Sequence, residues 1–244
     1  TGGIGGVMAP RFAGEGAKLV LAPRTAAKGE PIAQALRDAG GAAVFVPMDT
    51  AVEDQVKAAV QTCADLHGRT DVLVNNAGPV DLILGGVDKR LDLMSTDDFD
   101  RMVKVSLYGP FWCLRYVLPH MVEKKSGSII NISSIAAVSG LPNMPGYAAG
   151  KGGLSALTRQ VAFDFGKLGI RSNAIVVGTV VHDTSRVMVD TPEKHADVLS
   201  RTLTDRLGDA DDVASAAIYL ASDESGFVTG VNFPLEGGLL VKSR

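Results

Sequence analysis

A tyrosine and a lysine four positions apart offer the clearest candidate chemistry in this sequence of 244 residues. Tyr147 and Lys151 open a segment with helical periodicity, and this spacing places both side chains on one face of a helix. A free tyrosine has a pKa of about 10, and a neighbouring ammonium group stabilises the phenolate. We therefore expect Lys151 to lower the pKa of Tyr147 and to make the phenol a proton-transfer group.

A pair of serines precedes this tyrosine. Ser134 lies thirteen residues before Tyr147, just after the apolar run 129–132. Ligands bind beyond the carboxyl ends of the strands in open α/β sheets, so a hydroxyl group placed there can contact a substrate. Ser133 is the alternative at this position, and one of the two serines then serves only in the turn that ends the strand.

A glycine-rich turn stands near the beginning of the sequence. Gly3, Ile4 and Gly5 precede helix-like residues that continue to Gly14. At the start of a helix such a turn can cradle a pyrophosphate, because backbone N–H groups and the helix dipole face the anion. A turn of this kind should follow a strand, and none precedes it here. We therefore expect that residues before Thr1, including the first strand of the sheet, exist in the protein.

The elements that must position these residues follow an alternating pattern. Short, mostly β-branched apolar runs occur at 19–21, 43–46, 72–74, 129–132 and 174–177. Between them lie stretches with helical periodicity, notably 53–67, 97–121 and 147–168. This order predicts an α/β fold, namely a Rossmann-like, doubly wound parallel sheet with helices on both faces. No linker or repeat interrupts it, so we predict one domain over residues 1–244.

The bulk composition narrows the function classes. A formal net charge of −3 leaves no overall basic field that would attract nucleic acid or an anionic membrane. No apolar run approaches the roughly 20 residues that span a bilayer. Cys63 and Cys113 have neither metal-ligand nor redox spacing, and we interpret both as reduced thiols of a cytoplasmic protein. No His, Cys and Asp cluster has metal-ligand spacing, so no metal is predicted.

Five short motifs occur in order along the chain. They are Gly3-Ile4-Gly5, Asn75-Asn76-Ala77-Gly78, Ser133-Ser134, Tyr147-Ala148-Ala149-Gly150-Lys151 and Phe227-Val228-Thr229-Gly230. Together they resemble the short-chain dehydrogenase/reductase family in its single-domain form, which includes reductases of 3-oxoacyl thioesters. The resemblance covers essentially the whole chain. It implies an oxidoreductase that transfers a hydride between a nicotinamide cofactor and a ketone or secondary alcohol.

The resemblance also implies a role for each candidate residue. Tyr147 would protonate the carbonyl oxygen in reduction or accept the hydroxyl proton in oxidation, while Lys151 would also hold the nicotinamide ribose. Ser134 would hydrogen-bond the substrate oxygen. Ser106 stands where the family has an asparagine that supports a water-linked proton relay, and its shorter hydroxyl can also hold a water. This departure, with Val177 in place of the family's proline, motivates an alternative: a weakly active or non-catalytic nucleotide-binding protein.

The predicted cofactor is NADP(H), with NAD as the alternative. Pro23 stands where NAD-preferring relatives have an acid for the ribose hydroxyls. Arg24 can bind a 2′-phosphate with its planar fork, and Thr25 can add a hydroxyl group. The resemblance implies three further cofactor contacts: Asp49 with adenine, Asn76 with the adenosine ribose and Val180 with the nicotinamide carboxamide.

The segment 178–206 is polar and irregular, and the resemblance implies a mobile substrate lid there. His182 and His195 lie in it, and a solvated loop position is the favoured interpretation for both. The two helices predicted from Asp97 and Tyr147 carry more apolar surface than one sheet face needs. We therefore predict a homo-oligomer, a dimer or a tetramer, whose other partner is a small carbonyl or alcohol substrate of open identity.

Overall fold

Two long apolar strands, β4 (Gly127–Ser134) and β5 (Ile170–Val177), pair in parallel at the centre of the fold. Alternate side chains of a strand point to opposite faces, so β4 can serve two hydrophobic layers at once. Ile130 and Ile132 belong to one layer, and Ile129 belongs to the other. The computed structural model describes residues 2–242.

The remaining elements continue the alternation along the chain. The other strands are β1 (Leu19–Leu21), β2 (Ala43–Phe45), β3 (Val72–Asn75), β6 (Val180–Val181), β7 (Gly208–Asp209) and β8 (Asn232–Leu235). The α-helices among residues 2–242 are α1 (Ile4–Gly14), α2 (Ala26–Asp38), α3 (Glu53–His67), α4 (Val80–Leu84), α5 (Thr96–Val103), α6 (Gly109–Lys124), α7 (Pro145–Phe165), α8 (Pro192–Leu199) and α9 (Ala210–Ala221).

The strands form parallel pairings throughout the described chain. One sheet has the order β3-β4-β5-β8, while β1 pairs with β2 and β6 pairs with β7. Within residues 2–242 no ladder of hydrogen bonds joins β1 to β3. Thr1 and any residue before it lie outside the described range, so the expected additional strand stays a prediction.

Helices cover both faces of the four-stranded sheet. Met8 of α1 and Val213 of α9 pack on the side of Ile130. Leu114 of α6 and Val161 of α7 pack on the side of Ile129. The predicted architecture, a parallel sheet with helices on both faces, is therefore confirmed. Between residues 2 and 242 no helix has the length and apolar character needed to cross a membrane.

Two local predictions were wrong, at least in part, and one strand was not predicted. The helix expected over 97–121 is divided, because a π-helical segment, Lys104–Tyr108, separates α5 from α6. The segment 178–206 is only partly irregular: it contains β6 and α8, and Thr191 caps α8 by accepting the backbone N–H of Lys194, while the substrate lid stays a prediction. Strand β8 was not identified because it contains Pro234, a residue that sheets tolerate at an edge, where β8 lies.

Candidate active site

A cavity of about 2230 Å³ runs along the gap between β1 and β3 and extends to the carboxyl ends of the strands, and nearly all of the candidate residues line it. Its lining includes Gly3, Ile4, Gly5, Arg24, Thr25, Asp49, Asn76, Ser134, Tyr147, Lys151 and Val180. Ser106 is the exception among the predicted site residues, since it does not line the cavity. No group of His, Cys, Asp and Glu residues within 2–242 has the arrangement of a metal site.

The glycine turn at one end of the cavity has the geometry of an anion cradle. Gly3 has a φ of 54°, which favours glycine, and α1 begins at the next residue. A Cβ atom on Gly3 would lie 2.7 Å from Nδ1 of His182, so only a glycine fits between the turn and this imidazole. The turn lines the cavity at the N-terminus of α1, a position that suits the pyrophosphate of a dinucleotide. His182 is not a solvated loop residue, because it contacts this turn and lines the cavity.

Helix α7 carries the predicted catalytic pair, Tyr147 and Lys151. Tyr147 and Lys151 lie one turn apart, and Nζ of Lys151 is 5.7 Å from the centre of the Tyr147 ring. Lys151 is only 3% exposed, and its ammonium group donates a hydrogen bond of 2.6 Å to the carbonyl oxygen of Ile132 on β4. The lysine is therefore anchored to the sheet backbone while it faces the tyrosine.

The electrostatics of this pair differ from the sequence-based expectation. Burial raises the pKa of Tyr147, and a contact with the Ser134 hydroxyl opposes that shift. Burial also lowers the pKa of Lys151 to about 8. The prediction that the pKa of Tyr147 is lowered is thus wrong for the protein without ligands, because desolvation of the phenol outweighs the hydrogen bond with Ser134.

The two serines that end β4 have different environments. Ser133 is buried, and its hydroxyl oxygen lies 3.2 Å from that of Ser155 in the interface with α7. Ser134 instead contacts Tyr147, and its Oγ accepts a hydrogen bond of 3.2 Å from the backbone N–H of Ala136. Of the two serines, Ser134 therefore has the position expected for a group that contacts the substrate oxygen.

Ser106 packs against α7 on the side of Gly150. It is completely buried in the π-helical segment, and its Oγ has no hydrogen-bond partner within residues 2–242. A Cβ atom on Gly150 of α7 would lie 2.4 Å from the Cβ atom of Ser106. Direct contact between Ser106 and a ligand is therefore not supported, and its expected part in a water relay stays a prediction.

The structure adds Asp88, a residue that the sequence-based reasoning did not identify. Its carboxylate is 7% exposed and accepts two hydrogen bonds from the first turn of α7, from the backbone N–H groups of Gly146 at 3.0 Å and Tyr147 at 2.9 Å. These groups lack acceptors within their own helix. Asp88 thereby fixes the start of the helix that presents the phenol. No motif or spacing marks an aspartate 59 residues before Tyr147, so no sequence signal pointed to it.

The other end of the cavity carries charged groups. Arg24, just after β1, forms an ion pair of 2.8 Å with Asp81 of α4. Asp49 uses one carboxylate oxygen to accept the backbone N–H of Ala51 at 2.9 Å, in the turn before α3. Arg24 and Asp49, which are predicted to contact the adenosine part of a cofactor, follow the carboxyl ends of β1 and β2.

Comparison with known proteins decides the family. Residues 1–240 match a family model described as Enoyl-(Acyl carrier protein) reductase. The chain is 36% identical to the uncharacterized oxidoreductase YxbG of Bacillus subtilis, over 98% of this chain and 87% of that protein. It is 32% identical to the 3-oxoacyl-(acyl-carrier-protein) reductase FabG of Thermotoga maritima, over 98% and 94% of the two chains.

A solved structure agrees with the sequence relatives. A gluconate 5-dehydrogenase from Burkholderia cenocepacia, crystallised with NADP and tartrate, superposes with a TM-score of 0.88. It is 34% identical, and the match covers 99% of this chain and 92% of that one. The chain belongs to the short-chain dehydrogenase/reductase family.

Membership of the short-chain dehydrogenase/reductase family gives the coarse activity. The protein is an oxidoreductase that acts on a CH–OH or carbonyl group with a nicotinamide cofactor. The predicted family and enzyme class are therefore confirmed.

Proposed function

We propose that this short-chain dehydrogenase/reductase transfers a hydride between NADP(H) and a ketone or secondary alcohol, with Tyr147 as general acid and base. The observation that carries the proposal is the convergence of Ser134, Tyr147 and Lys151 on one cavity with the glycine turn at Gly3. A dinucleotide that lies between this turn and α7 would present its nicotinamide beside the phenol.

Each protein group has a defined task in this proposal. The Ser134 hydroxyl donates a hydrogen bond to the substrate oxygen and orients it towards Tyr147. In reduction the Tyr147 phenol, which keeps its proton at neutral pH because burial raises its pKa, donates that proton to the developing alkoxide. Lys151 stabilises the resulting phenolate and offers N–H donors to the ribose. When bound, the cofactor supplies or accepts the hydride.

The choice of NADP(H) over NAD rests on the end of β1. Arg24 provides a guanidinium fork, Thr25 a hydroxyl and Lys28 a second cation along the cavity wall, all suited to a 2′-phosphate. Pro23 offers no carboxylate to ribose hydroxyls at the position that NAD-preferring relatives use for this purpose.

The experiment is NADPH oxidation with a panel of ketones, aldehydes and 3-oxoacyl thioesters, comparing wild type with Tyr147→Phe. The variant should bind NADPH as judged by cofactor fluorescence, but kcat should fall by roughly 10²–10⁴-fold because the proton donor is lost. Tyr219→Phe is the matched control, since Tyr219 lies on α9 outside the cavity. Full activity of Tyr147→Phe would refute the mechanism. NADPH binding without turnover of any carbonyl would instead favour a nucleotide-binding protein.

We further propose that the protein forms a dimer or tetramer through α6 and α7. A groove between these helices, of about 450 Å³, is lined by apolar residues such as Leu118 and Leu157. Phe163 on α7 is 85% exposed and would add apolar area to such an interface.

We also propose one domain over residues 1–244 and a cytoplasmic location. The single domain is supported by contacts between the two ends of the chain, where Arg11 of α1 pairs with Asp211 of α9 at 2.8 Å. The location is supported by the two free thiols, of which Cys113 is buried with a pKa raised to about 12.

A further inference from the structure

The ion pair at the adenosine end of the cavity joins a residue assigned to the cofactor with one that has no assigned role. Nη2 of Arg24 lies 2.8 Å from Oδ2 of Asp81, and the two side chains are 53% and 52% exposed. Both residues line the cavity. Since Arg24 follows β1 and Asp81 belongs to α4, the pair bridges two elements at the position expected for the 2′-phosphate.

The pair is ionised at neutral pH. Desolvation alone would raise the pKa of Asp81, but the hydrogen bond from Arg24, the positive charge of Arg24 and backbone hydrogen bonds together outweigh it and keep the pKa below its usual value. The same hydrogen bond raises the pKa of Arg24, and the negative charge of Asp49 acts in the same direction. The guanidinium group therefore pairs with the Asp81 carboxylate and lies in the field of a second carboxylate before any ligand arrives.

We propose that Asp81 sets the cofactor preference: it competes with the 2′-phosphate of NADP for the guanidinium group of Arg24 and thereby narrows the preference for NADP over NAD. This inference rests on the proposed function, in which Arg24 binds that phosphate. A 2′-phosphate carries up to two negative charges, so the Asp81 carboxylate both occupies one donor of the fork and repels the incoming group. NAD lacks this phosphate and meets neither obstacle.

The expected effects on cofactor binding follow from removing the negative charge of Asp81. Asp81→Asn keeps the shape of the side chain and a hydrogen-bond acceptor but removes the negative charge. It should tighten NADP binding about five- to twentyfold, because one close charge repulsion disappears and Arg24 is released. NAD binding should change less than about twofold. Lys28, a cation on the same wall, remains to support the phosphate.

The test is titration calorimetry of the purified protein with NADP, NAD, 2′,5′-ADP and 5′-AMP. The two fragments isolate the effect of the 2′-phosphate from any nicotinamide contact, and no turnover is needed. The proteins are wild type, Asp81→Asn, Arg24→Ala and the double variant. The matched control is Asp92→Asn, because Asp92 also pairs with an arginine, Arg90, but lies outside the cavity.

The outcomes separate this inference from the proposed function. Tighter NADP and 2′,5′-ADP binding by Asp81→Asn, but not by Asp92→Asn, and loss of that gain in the double variant support the inference. If Arg24→Ala weakens NADP binding while Asp81→Asn leaves it unchanged or weaker, the inference is overturned and the NADP proposal stands. If Arg24→Ala has no effect on NADP, the assignment of Arg24 to the 2′-phosphate fails, and the inference fails with it.

Discussion

At the residue scale, the position of the Tyr147 phenol, the proposed proton donor, depends on the carboxylate of Asp88. Asp88 accepts the backbone N–H groups of Gly146 and Tyr147 and is almost completely buried. The Tyr147 and Lys151 spacing could be predicted from sequence because a helix fixes the geometry of residues four apart. Asp88 could not be predicted, because the chain folds back over 58 residues before it meets Gly146.

Asp88→Ala should lower the free energy of unfolding by about 1–3 kcal/mol, since two buried N–H groups lose their acceptor. We expect kcat to fall while KM for the carbonyl substrate changes little, because the phenol is displaced without loss of a binding group. Urea denaturation and steady-state kinetics measure the two effects. Asp100→Ala, at an exposed site on α5, is the control. An Asp88→Ala enzyme with normal stability and kcat would show that the two hydrogen bonds are dispensable.

The lowered pKa of Lys151 predicts that the free energy of unfolding depends on pH. The pKa of this side chain is lowered to about 8 by burial, so the folded protein releases this proton at lower pH than the unfolded chain, in which the lysine has its ordinary pKa of 10.5. Below about pH 8 the buried charge costs stability, and between pH 8 and 10.5 this cost is relieved as pH rises. Relative to Lys151→Met, wild type should gain up to about 1.4 kcal/mol per pH unit in that window. Urea denaturation of both proteins between pH 7 and 10 measures the difference, and a constant difference would contradict the assignment.

At the element scale, three glycines of α7 allow a close approach by α5 and the π-helical segment. Cβ atoms on Gly146, Gly150 and Gly153 would lie within 3 Å of Met102, Ser106 and Leu107, respectively. The sequence predicted both helical regions but not the π-helical segment, because one wider turn hardly changes the apolar periodicity. The face of α7 that contacts α5 and the π-helical segment was not predicted either, because glycines produce no apolar periodicity in the sequence.

Gly150→Ala should lower the free energy of unfolding by about 1–3 kcal/mol and reduce activity, because the new methyl group would lie 2.4 Å from Cβ of Ser106. Gly152→Ala is a control in the same helix, where the nearest atom would be the Ala137 carbonyl oxygen at 4.0 Å. That variant should gain roughly 0.5–1 kcal/mol from helix propensity. Thermal or urea denaturation compares them, and equal stabilities would argue against close packing at Gly150.

At the scale of the whole molecule, the alternation of apolar runs was enough to predict the parallel sheet and its two helical layers. It did not predict β8, nor β6 and α8 in the segment 178–206. Capping and short-range hydrogen bonds stabilise that segment, and they leave no apolar periodicity in the sequence. The Ser185 hydroxyl, for example, donates a hydrogen bond of 2.9 Å to the carbonyl oxygen of Val180. Except for Ser106, the predicted site residues line one cavity, because their motifs lie at strand ends and helix starts.

The proposed assembly predicts that Phe163→Glu shifts sedimentation at micromolar concentration towards a smaller species, because a charge replaces an apolar contact on α7. Leu66→Glu on α3 is the control, since Leu66 is also exposed, at 51%, but lies away from the groove between α6 and α7. A wild-type protein that sediments as a monomer would refute the proposal.

The two hydrogen bonds to Asp88 have a consequence for isotope labelling. The leading amides of a helix normally exchange their hydrogens for deuterium first, because they have no acceptor in their own helix. Those of Gly146 and Tyr147 are instead bound to a carboxylate shielded from water. Slow deuterium uptake at the start of α7 would thus report that the hydrogen bonds to Asp88 hold Tyr147 in place. This measurement needs no substrate, dye or cofactor.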